Sequence, residues 1–191
     1  GTDTNDTGAI VRITQFNNDR GLYIKGGRGT SDQAKAIFGL RNSSAVDQDV
    51  MVFHQGGNVT TPNQIAFHVY DSISSSAFGA NTYADFNSVH YNRGNCYSTS
   101  NGRFTCTVAG TYGFWCNMLS NGSARLFHEV RKNGSQVAGT RTESGTTAGL
   151  YQTNTTQAIL PLAVGDWVAI HVGSGGAYGS SFSSWCGYLL G

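Results

Sequence analysis

The sequence predicts an all-β protein. Glycine occurs 26 times and proline only twice, and Asn, Ser and Thr are frequent, a composition typical of short strands joined by tight turns. Lysine occurs three times and glutamate twice among the 191 residues, too few for the charged faces of long surface helices. A chain of this length can bury a substantial core in one large domain or two small ones.

Residues 9–56 contain four short runs of alternating apolar and polar residues, which predict a small β-meander. Four such strands are marginal alone and would need a partner surface. Residues 57–63, which include Pro62, are expected to form a linker, and residues 1–8 a flexible end left by cloning a piece of a longer protein. The runs are Ala9–Phe16, Gly21–Lys25, Ala36–Asn42 and Val50–Gln55, with turns expected at Asn17–Asp19, Gly26–Gly29 and Asn42–Ser44.

The remaining residues, 64–191, show the alternation of half-buried strands. The expected core faces are Phe104, Cys106 and Val108, then Tyr112, Phe114, Cys116 and Met118, then Val168, Ile170 and Val172. A hairpin turn is expected at Ala109–Gly110, and Asn133–Gly134 suits a type I′ hairpin because both residues tolerate positive φ.

Some of these strands are apolar on the opposite face too. Trp115, Trp167 and Ala169 occupy positions that would meet water in a monomeric sandwich, so they predict a subunit interface. The alternative is that a single surface tryptophan is simply exposed.

A longer pattern spans about two thirds of the chain and resembles the globular head of the C1q family, relatives of tumour necrosis factor. Its members are Phe86-Asn87, Asn92-x-Gly94-Asn95-x-Tyr97, Gly102-x-Phe104-x-Cys106, Gly110-x-Tyr112-x-Phe114, Asn133-Gly134, Leu160-x-Leu162-x-x-Gly165-Asp166-x-Val168 and Gly187-Tyr188-Leu189-Leu190. The resemblance implies a ten-stranded jelly-roll sandwich that forms a homotrimer and binds ligands without catalysis.

Many heads of this family bind calcium through an acidic loop before the last strand. The matching loop here, residues 173–182, contains no carboxylate, whereas calcium takes six to eight oxygen ligands that usually include carboxylates. The family's metal site is therefore not expected in this chain, and no cofactor is predicted.

The first segment, with its Gly-Asn-Val-Thr-Thr-Pro-Asn linker, resembles shaft-to-tip sequence of bacteriophage tail fibres. This favours the trimeric tip of a phage or virus fibre, located in the virion, which recognises a host surface glycan or protein. Two alternatives remain open: a secreted C1q-like lectin in the extracellular space, and a structural clamp that holds a fibre's three chains together.

Other classes of function find little support. The net charge of +1 gives no footprint for nucleic acid, and no apolar run is long enough for membrane insertion. No catalytic motif is present, so an enzyme is not expected. The four cysteines form no C-x-x-C pair and are interpreted as free buried thiols, with disulfide pairing as the alternative. The five histidines are dispersed along the chain and are interpreted as strand-face or interface residues.

The predicted ligand contacts are loop residues with aromatic rings or guanidinium groups, which suit sugars and carboxylates. The alternative for each is an ordinary surface side chain. They are Tyr91, Arg93, Arg141, Tyr151 and Tyr178.

Overall fold

A computed structural model gives the architecture of the chain. It describes residues 10–14, 20–28, 34–42, 44, 46–73, 78–122, 125–145 and 150–191. The described residues form strands, turns and irregular segments, with no helix among them. The chain divides into two compact units, residues 1–63 and residues 64–191, and each is described by itself. The expected flexible end, residues 1–8, and the turn at Asn17–Asp19 lie outside the described residues.

The first unit is one antiparallel sheet whose strands neighbour each other in chain order. This is the expected meander, with a fifth short strand inside the segment that was expected to be a linker: Val59–Thr60 pairs with Phe53 and Val52. Pro62 does not prevent this pairing because it follows the strand. The strands are β1 Ile10–Thr14, β2 Gly21–Arg28, β3 Ala34–Arg41, β4 Asp47–His54 and β5 Val59–Thr60.

The prediction of a turn at Gly26–Gly29 is wrong for residues 26–28, which are the part of it that the structure describes. Gly26, Gly27 and Arg28 continue β2 and pair with Ala36, Lys35 and Ala34 of β3. A glycine run weakens a strand without forbidding it, and here a full-length partner strand supplies the ladder.

The two faces of this sheet differ. One face buries Tyr23, Ile37 and Val52 beside ion pairs that join Asp47 and Asp49 to basic side chains. The opposite face carries apolar side chains that are exposed to about a third or more of their area: Val11, Ile13, Leu22, Ile24, Phe38, Leu40, Met51 and Phe53. This unit therefore has a small core and an uncovered apolar face.

The second unit, called the head below, is a sandwich of two antiparallel sheets. Its described residues form thirteen strands, five of them only two residues long, where ten were expected. They are β6 Ala66–Tyr70, β7 Thr82–Tyr83, β8 Ser88–Arg93, β9 Tyr97–Ser98, β10 Arg103–Thr105, β11 Gly110–Ser120, β12 Phe127–Lys132, β13 Ser135–Gln136, β14 Thr142–Glu143, β15 Thr153–Leu162, β16 Trp167–Ser174, β17 Ala177–Tyr178 and β18 Ser184–Leu189.

The six-stranded sheet of the head has the order β15-β11-β18-β6-β8, with β17 also paired to β11. The seven-stranded sheet has the order β13-β12-β16-β10-β9, with β14 on β12 and β7 on β16. Neighbours that are distant in the chain are the mark of a jelly roll, in which successive strands alternate between the two sheets.

The core between the two sheets confirms the predicted alternation in β11 and β16. Phe114, Cys116 and Met118 are fully buried, as are Val168 and Ile170. Aromatic rings from both sheets fill its centre, where Phe67 lies 4.8 Å from Trp185 and 5.7 Å from Phe104 between ring centroids.

The turn region at residues 106–110 differs from its prediction. Val108 is 47% exposed rather than part of the core, and Ala109–Gly110 is not a hairpin turn, because β10 and β11 belong to different sheets. The Tyr112 hydroxyl donates to the Val108 carbonyl at 2.6 Å and holds this crossover in place.

The hairpin at Asn133–Gly134 is confirmed. It joins β12 to β13, and the two φ angles of 50° and 86° are both positive, as a type I′ turn requires. The Asn133 side chain also accepts a hydrogen bond from the Trp167 amide and donates one to Asp166.

Candidate functional site

Three aromatic side chains meet at one end of the head. Tyr178 lies edge-on to Tyr151, with ring centroids 5.6 Å apart, and 5.8 Å from Phe182 on its other side. Tyr151 and Phe182 are each about 60% exposed. Two of the predicted ligand contacts, Tyr151 and Tyr178, are thus brought together, and sequence reasoning missed the third ring. An aromatic residue inside a Gly/Ser-rich loop was the available signal for Phe182.

The loop that presents Phe182 is fixed by backbone hydrogen bonds. The amides of Ser180 and Ser181 donate to the carbonyls of Ile73 and Asp71 at 2.6 and 2.7 Å, and both serines have positive φ. The Phe182 amide donates to the Gly179 carbonyl at 3.0 Å. Phe182 is therefore held in position although its ring is exposed. Tyr151, Tyr178 and Phe182 are called the aromatic cluster below.

Asp71, which supports this loop, is 1% exposed. Its Oδ1 accepts a hydrogen bond from the Ile73 amide, while Oδ2 has no partner among the described residues. Burial raises the pKa of this carboxyl above its usual range. This carboxylate borders the last loop, since Oδ2 would lie 3.2 Å from a Cβ added at Gly179.

Tyr91 and Arg93 lie elsewhere, on the outer face of the six-stranded sheet. Arg93 stacks over the Tyr91 ring at 5.8 Å. Strand register places Tyr91 in one row across the sheet with His68, Cys186 and Trp115. The predicted ligand contacts Tyr91 and Arg93 therefore share a face with the predicted interface residue Trp115.

This outer face is apolar along β11, β18 and β15. Trp115 stacks on Tyr188 with ring centroids 5.2 Å apart, and Ile159 of β15 is 66% exposed beside them. Tyr188 and Leu190 are also more than 40% exposed. Large exposed apolar patches of this kind mark surfaces that contact another molecule.

The sequence-family model of the C1q domain matches residues 66–190, which are most of the head and more than half of the chain. The chain belongs to the C1q domain family. It is 32% identical over 130 residues to complement C1q tumor necrosis factor-related protein 3 of Mus musculus, covering 66% of this chain and 51% of that protein. It is also 32% identical over 108 residues to Caprin-2 of Danio rerio, covering 55% of this chain and 12% of that protein.

The chain thus spans about half of the first relative and a small part of the second. Among solved structures, the head is similar to the globular domain of zebrafish complement 1qA protein, with a TM-score of 0.57 and 20% identity over 67% of this chain and 98% of that one. Murine APRIL at pH 5.0 is similar with a TM-score of 0.52 and 13% identity, over 66% of this chain and 99% of that one. At these identities the likeness shows the fold, a C1q/TNF-like jelly roll.

In this C1q domain Arg141 stands apart from the other predicted contacts. Its guanidinium group stacks over the Phe127 ring at 3.9 Å and forms an ion pair with Glu143. These contacts hold Arg141 against β12 and β14, and none of them involves a residue of the aromatic cluster.

Trp167 and Ala169 lie on the outer face of the seven-stranded sheet. The Arg103 guanidinium stacks over Trp167 at 3.9 Å, and Tyr83 contacts the same ring edge-on at 5.6 Å. Ala169 is fully buried between Arg103 and Arg131, its register neighbours. Side chains of the same chain therefore pack on Trp167, which stays partly exposed, and bury Ala169; both lie on the opposite face of the sandwich from Trp115.

The structure also brings together two histidines that sequence reasoning left dispersed. The rings of His68 and His90 lie 4.7 Å apart, because a β-bulge in β8 turns His90 toward β6. Burial and the neighbouring His90 lower the pKa of His68. No local sequence pattern predicts this pair, because the two histidines are 22 positions apart and their contact depends on the bulge in β8.

Among the described residues, no three His, Cys, Asp or Glu side chains lie close enough to hold a metal ion. All four cysteines are free thiols: Cys96, Cys106 and Cys116 are buried and Cys186 is partly exposed. No helix in the described part of the chain is long and apolar enough to cross a membrane.

Proposed function

We propose that this chain is an extracellular, non-catalytic recognition protein that works as a homotrimer and binds its ligand through the aromatic cluster. Domains of the C1q/TNF-like type are generally ligand-binding modules without enzymatic activity, and they typically form homotrimers. Similarity to a complement C1q tumor necrosis factor-related protein favours the extracellular setting over the virion.

The observation that carries the ligand site is the contact of Tyr151, Tyr178 and Phe182, of which Tyr151 and Phe182 are about 60% exposed and Phe182 lies on a loop fixed by backbone hydrogen bonds. Aromatic side chains supply large contact areas at low cost in side-chain entropy, and they dominate binding energy at interfaces. A ligand with an apolar face, such as a glycan ring or a protein surface, suits this cluster. Three copies in a trimer raise avidity without any new contact.

The experiment compares single substitutions in the full chain on an array of immobilised glycans and purified cell-surface proteins. Tyr151→Ala and Phe182→Ala are expected to weaken binding about tenfold or more, as truncation of an aromatic contact does at other interfaces. Val164→Ala is the control, because Val164 is 67% exposed in the turn between β15 and β16, outside both the aromatic cluster and the sheet face with Trp115. Binding that survives both cluster substitutions would remove this surface as the ligand site.

A second setting, the tip of a phage or virus fibre, is favoured by one feature of residues 1–63, which lie outside the family match. Their sheet leaves an apolar face uncovered, and Ile13 and Leu40 on it are more than half exposed. In a fibre, copies of this chain would cover that face. Ile13→Lys with Leu40→Lys would then lower the thermal stability of the trimer, whereas Val46→Lys, at an exposed turn residue, would not. Equal melting of both variants would argue against this setting.

A further inference from the structure

A cavity of about 390 Å³ lies where the edges of the two head sheets come together. One wall is β8, an edge of the six-stranded sheet, and the other is formed by β9, β10 and the turns beside them. Its volume lies within the range of roughly 300–1,000 Å³ of small-molecule sites. The lining residues, none of which belongs to the aromatic cluster, are Val89, Asn92, Asn95, Cys96, Tyr97, Ser98, Thr99, Ser100 and Thr105.

The lining of this cavity is uncharged. It contains amides, hydroxyls, a thiol and apolar groups, but no Asp, Glu, Lys, Arg or His. Burial raises the pKa of Cys96 to about 11, so its thiol stays neutral at physiological pH. A charged ligand would meet no opposite charge in this lining, whereas its amides and hydroxyls can pair with an uncharged polar ligand. The cavity therefore suits an uncharged ligand.

The backbone of the cavity is fixed before any ligand arrives. The Asn92 carboxamide oxygen accepts hydrogen bonds from the amides of Cys96 and Tyr97 at 3.0 and 3.1 Å, and its nitrogen donates to the Tyr97 carbonyl at 2.8 Å. The Thr105 amide donates to the Cys96 carbonyl at 2.7 Å. Such preorganisation lowers the entropy lost on binding.

Several polar side chains around this fixed backbone are left without partners. Asn95, Thr99 and Thr105 are exposed, and their side chains make no hydrogen bond to any residue that the structure describes. The hydroxyls of Ser98 and Ser100 pair with each other at 2.9 Å, and each keeps further hydrogen-bonding capacity. Val89, 44% exposed, adds an apolar patch to the wall.

Amides and hydroxyls both donate and accept hydrogen bonds, and so do the hydroxyls of a sugar. A sugar ring also presents C–H groups that pack on an apolar patch such as Val89. We propose that this cavity binds a neutral saccharide, as a site separate from the aromatic cluster. The proposal names a ligand class for the recognition role above and uses different residues, so each site can fail independently of the other.

The test is a titration of the isotope-labelled full chain, followed by NMR, with the methyl glycosides of glucose, galactose, mannose and N-acetylglucosamine. Glucuronic acid and sialic acid serve as charged comparators. At least one neutral glycoside is expected to shift the amides of Asn95, Thr99 and Thr105 more than either acid does. Shifts that map outside the cavity, no shift with any neutral glycoside, or equal shifts with the acids would overturn the proposal.

Substitutions then assign the contacts. Thr99→Val and Thr105→Val each remove one hydroxyl with little change in shape, and each should weaken binding about two- to tenfold, the range for one hydrogen bond. Ser135→Ala is the control, because Ser135 is an exposed residue of β13 at the opposite edge of the same sheet. Unaltered affinity in both threonine variants, with their circular dichroism and melting preserved, would contradict the assignment.

Discussion

Trp115 and Tyr188 stack on the outer face of the six-stranded sheet, with ring centroids 5.2 Å apart and ring planes within 15° of parallel. They come from the neighbouring strands β11 and β18. Gly113 makes the stack possible, because a Cβ at that position would lie 2.5 Å from the Trp115 ring. The result is a flat aromatic surface on the outside of the head, which is the surface proposed here to contact the next subunit.

Ile159→Arg is expected to dissociate the trimer. Ile159 is 66% exposed and pairs with Gly113 in strand register, so it borders the Trp115–Tyr188 stack. A guanidinium group placed there would be buried without a partner on assembly, and we expect a cost of about 2 kcal/mol or more per interface. Sedimentation velocity should show about three times the chain mass for the wild type and a shift toward monomer for the variant.

The matched control is Val164→Arg, since Val164 is 67% exposed in the turn between β15 and β16. This variant should sediment like the wild type. A wild-type chain that sediments as a monomer at micromolar concentration would remove the trimer proposal altogether.

The reactivity of the Cys186 thiol should show whether a second subunit covers this face. It is the register neighbour of Trp115 and partly exposed, and burial already raises its thiol pKa. Packing of a second subunit on this face should slow its alkylation further. We expect faster labelling of Cys186 in the Ile159→Arg variant than in the wild type, with Cys96, Cys106 and Cys116 unreactive in both because they are buried.

Mass spectrometry of the alkylated peptides measures this difference at mildly alkaline pH. Labelling after unfolding provides the full count of thiols for comparison. Equal labelling rates of Cys186 in trimer and dissociated variant would mean that this face stays open, and the interface would have to be sought elsewhere.

The core of the head was predictable from sequence because its causes are local. Alternation in β11 and β16 follows from the two-residue period of a strand, and Asn133–Gly134 carries its turn geometry in its own two residues. The prediction of a hairpin turn at Ala109–Gly110 is wrong because its outcome depends on non-local pairing. A turn signal shows that the chain changes direction, but the sheet that receives the next strand depends on distant partners.

The candidate site was only partly predictable for the same reason. Tyr151 and Tyr178 were recognised as exposed aromatic residues, but their contact depends on the pairing of β17 with β11. The covering of Trp167 by Arg103 depends on the pairing of β10 with β16. Each is a long-range register that composition and spacing do not encode.

Gly187→Ala should destabilise the head. Gly187 pairs with Phe114 and Phe67 on either side, and a Cβ there would lie 2.6 and 2.8 Å from their rings. Both rings are fully buried, so neither can move aside easily. Overpacking of this kind costs about 1–3 kcal/mol, which thermal or urea unfolding would measure. Gly79→Ala is the control, because a Cβ there meets only an ordinary contact at 3.8 Å. Equal stability of the two variants would show that the core around Gly187 can accommodate a methyl group.

His128 should make the head sensitive to acid. Its side chain is fully buried, and neither ring nitrogen has a hydrogen-bond partner among the described residues. Burial lowers its pKa from 6.5 to about 4. Between these two values the unfolded chain binds a proton that the folded chain does not, so stability is full above pH 6.5 and falls as the pH drops toward 4. The shift corresponds to about 3 kcal/mol.

Urea unfolding across this pH window measures the loss of stability in the wild type and in His128→Leu. This substitution replaces the titratable ring with an apolar side chain of similar size. We expect the variant to lose most of the acid-dependent fall in stability, with a remainder from His68 and His171, whose pKa values burial also lowers. His54→Gln removes a histidine from the other unit and should keep the fall in the head intact. If His128→Leu showed the same pH dependence as the wild type, the buried ring could not be its source, and the carboxylates of the head would have to supply it instead.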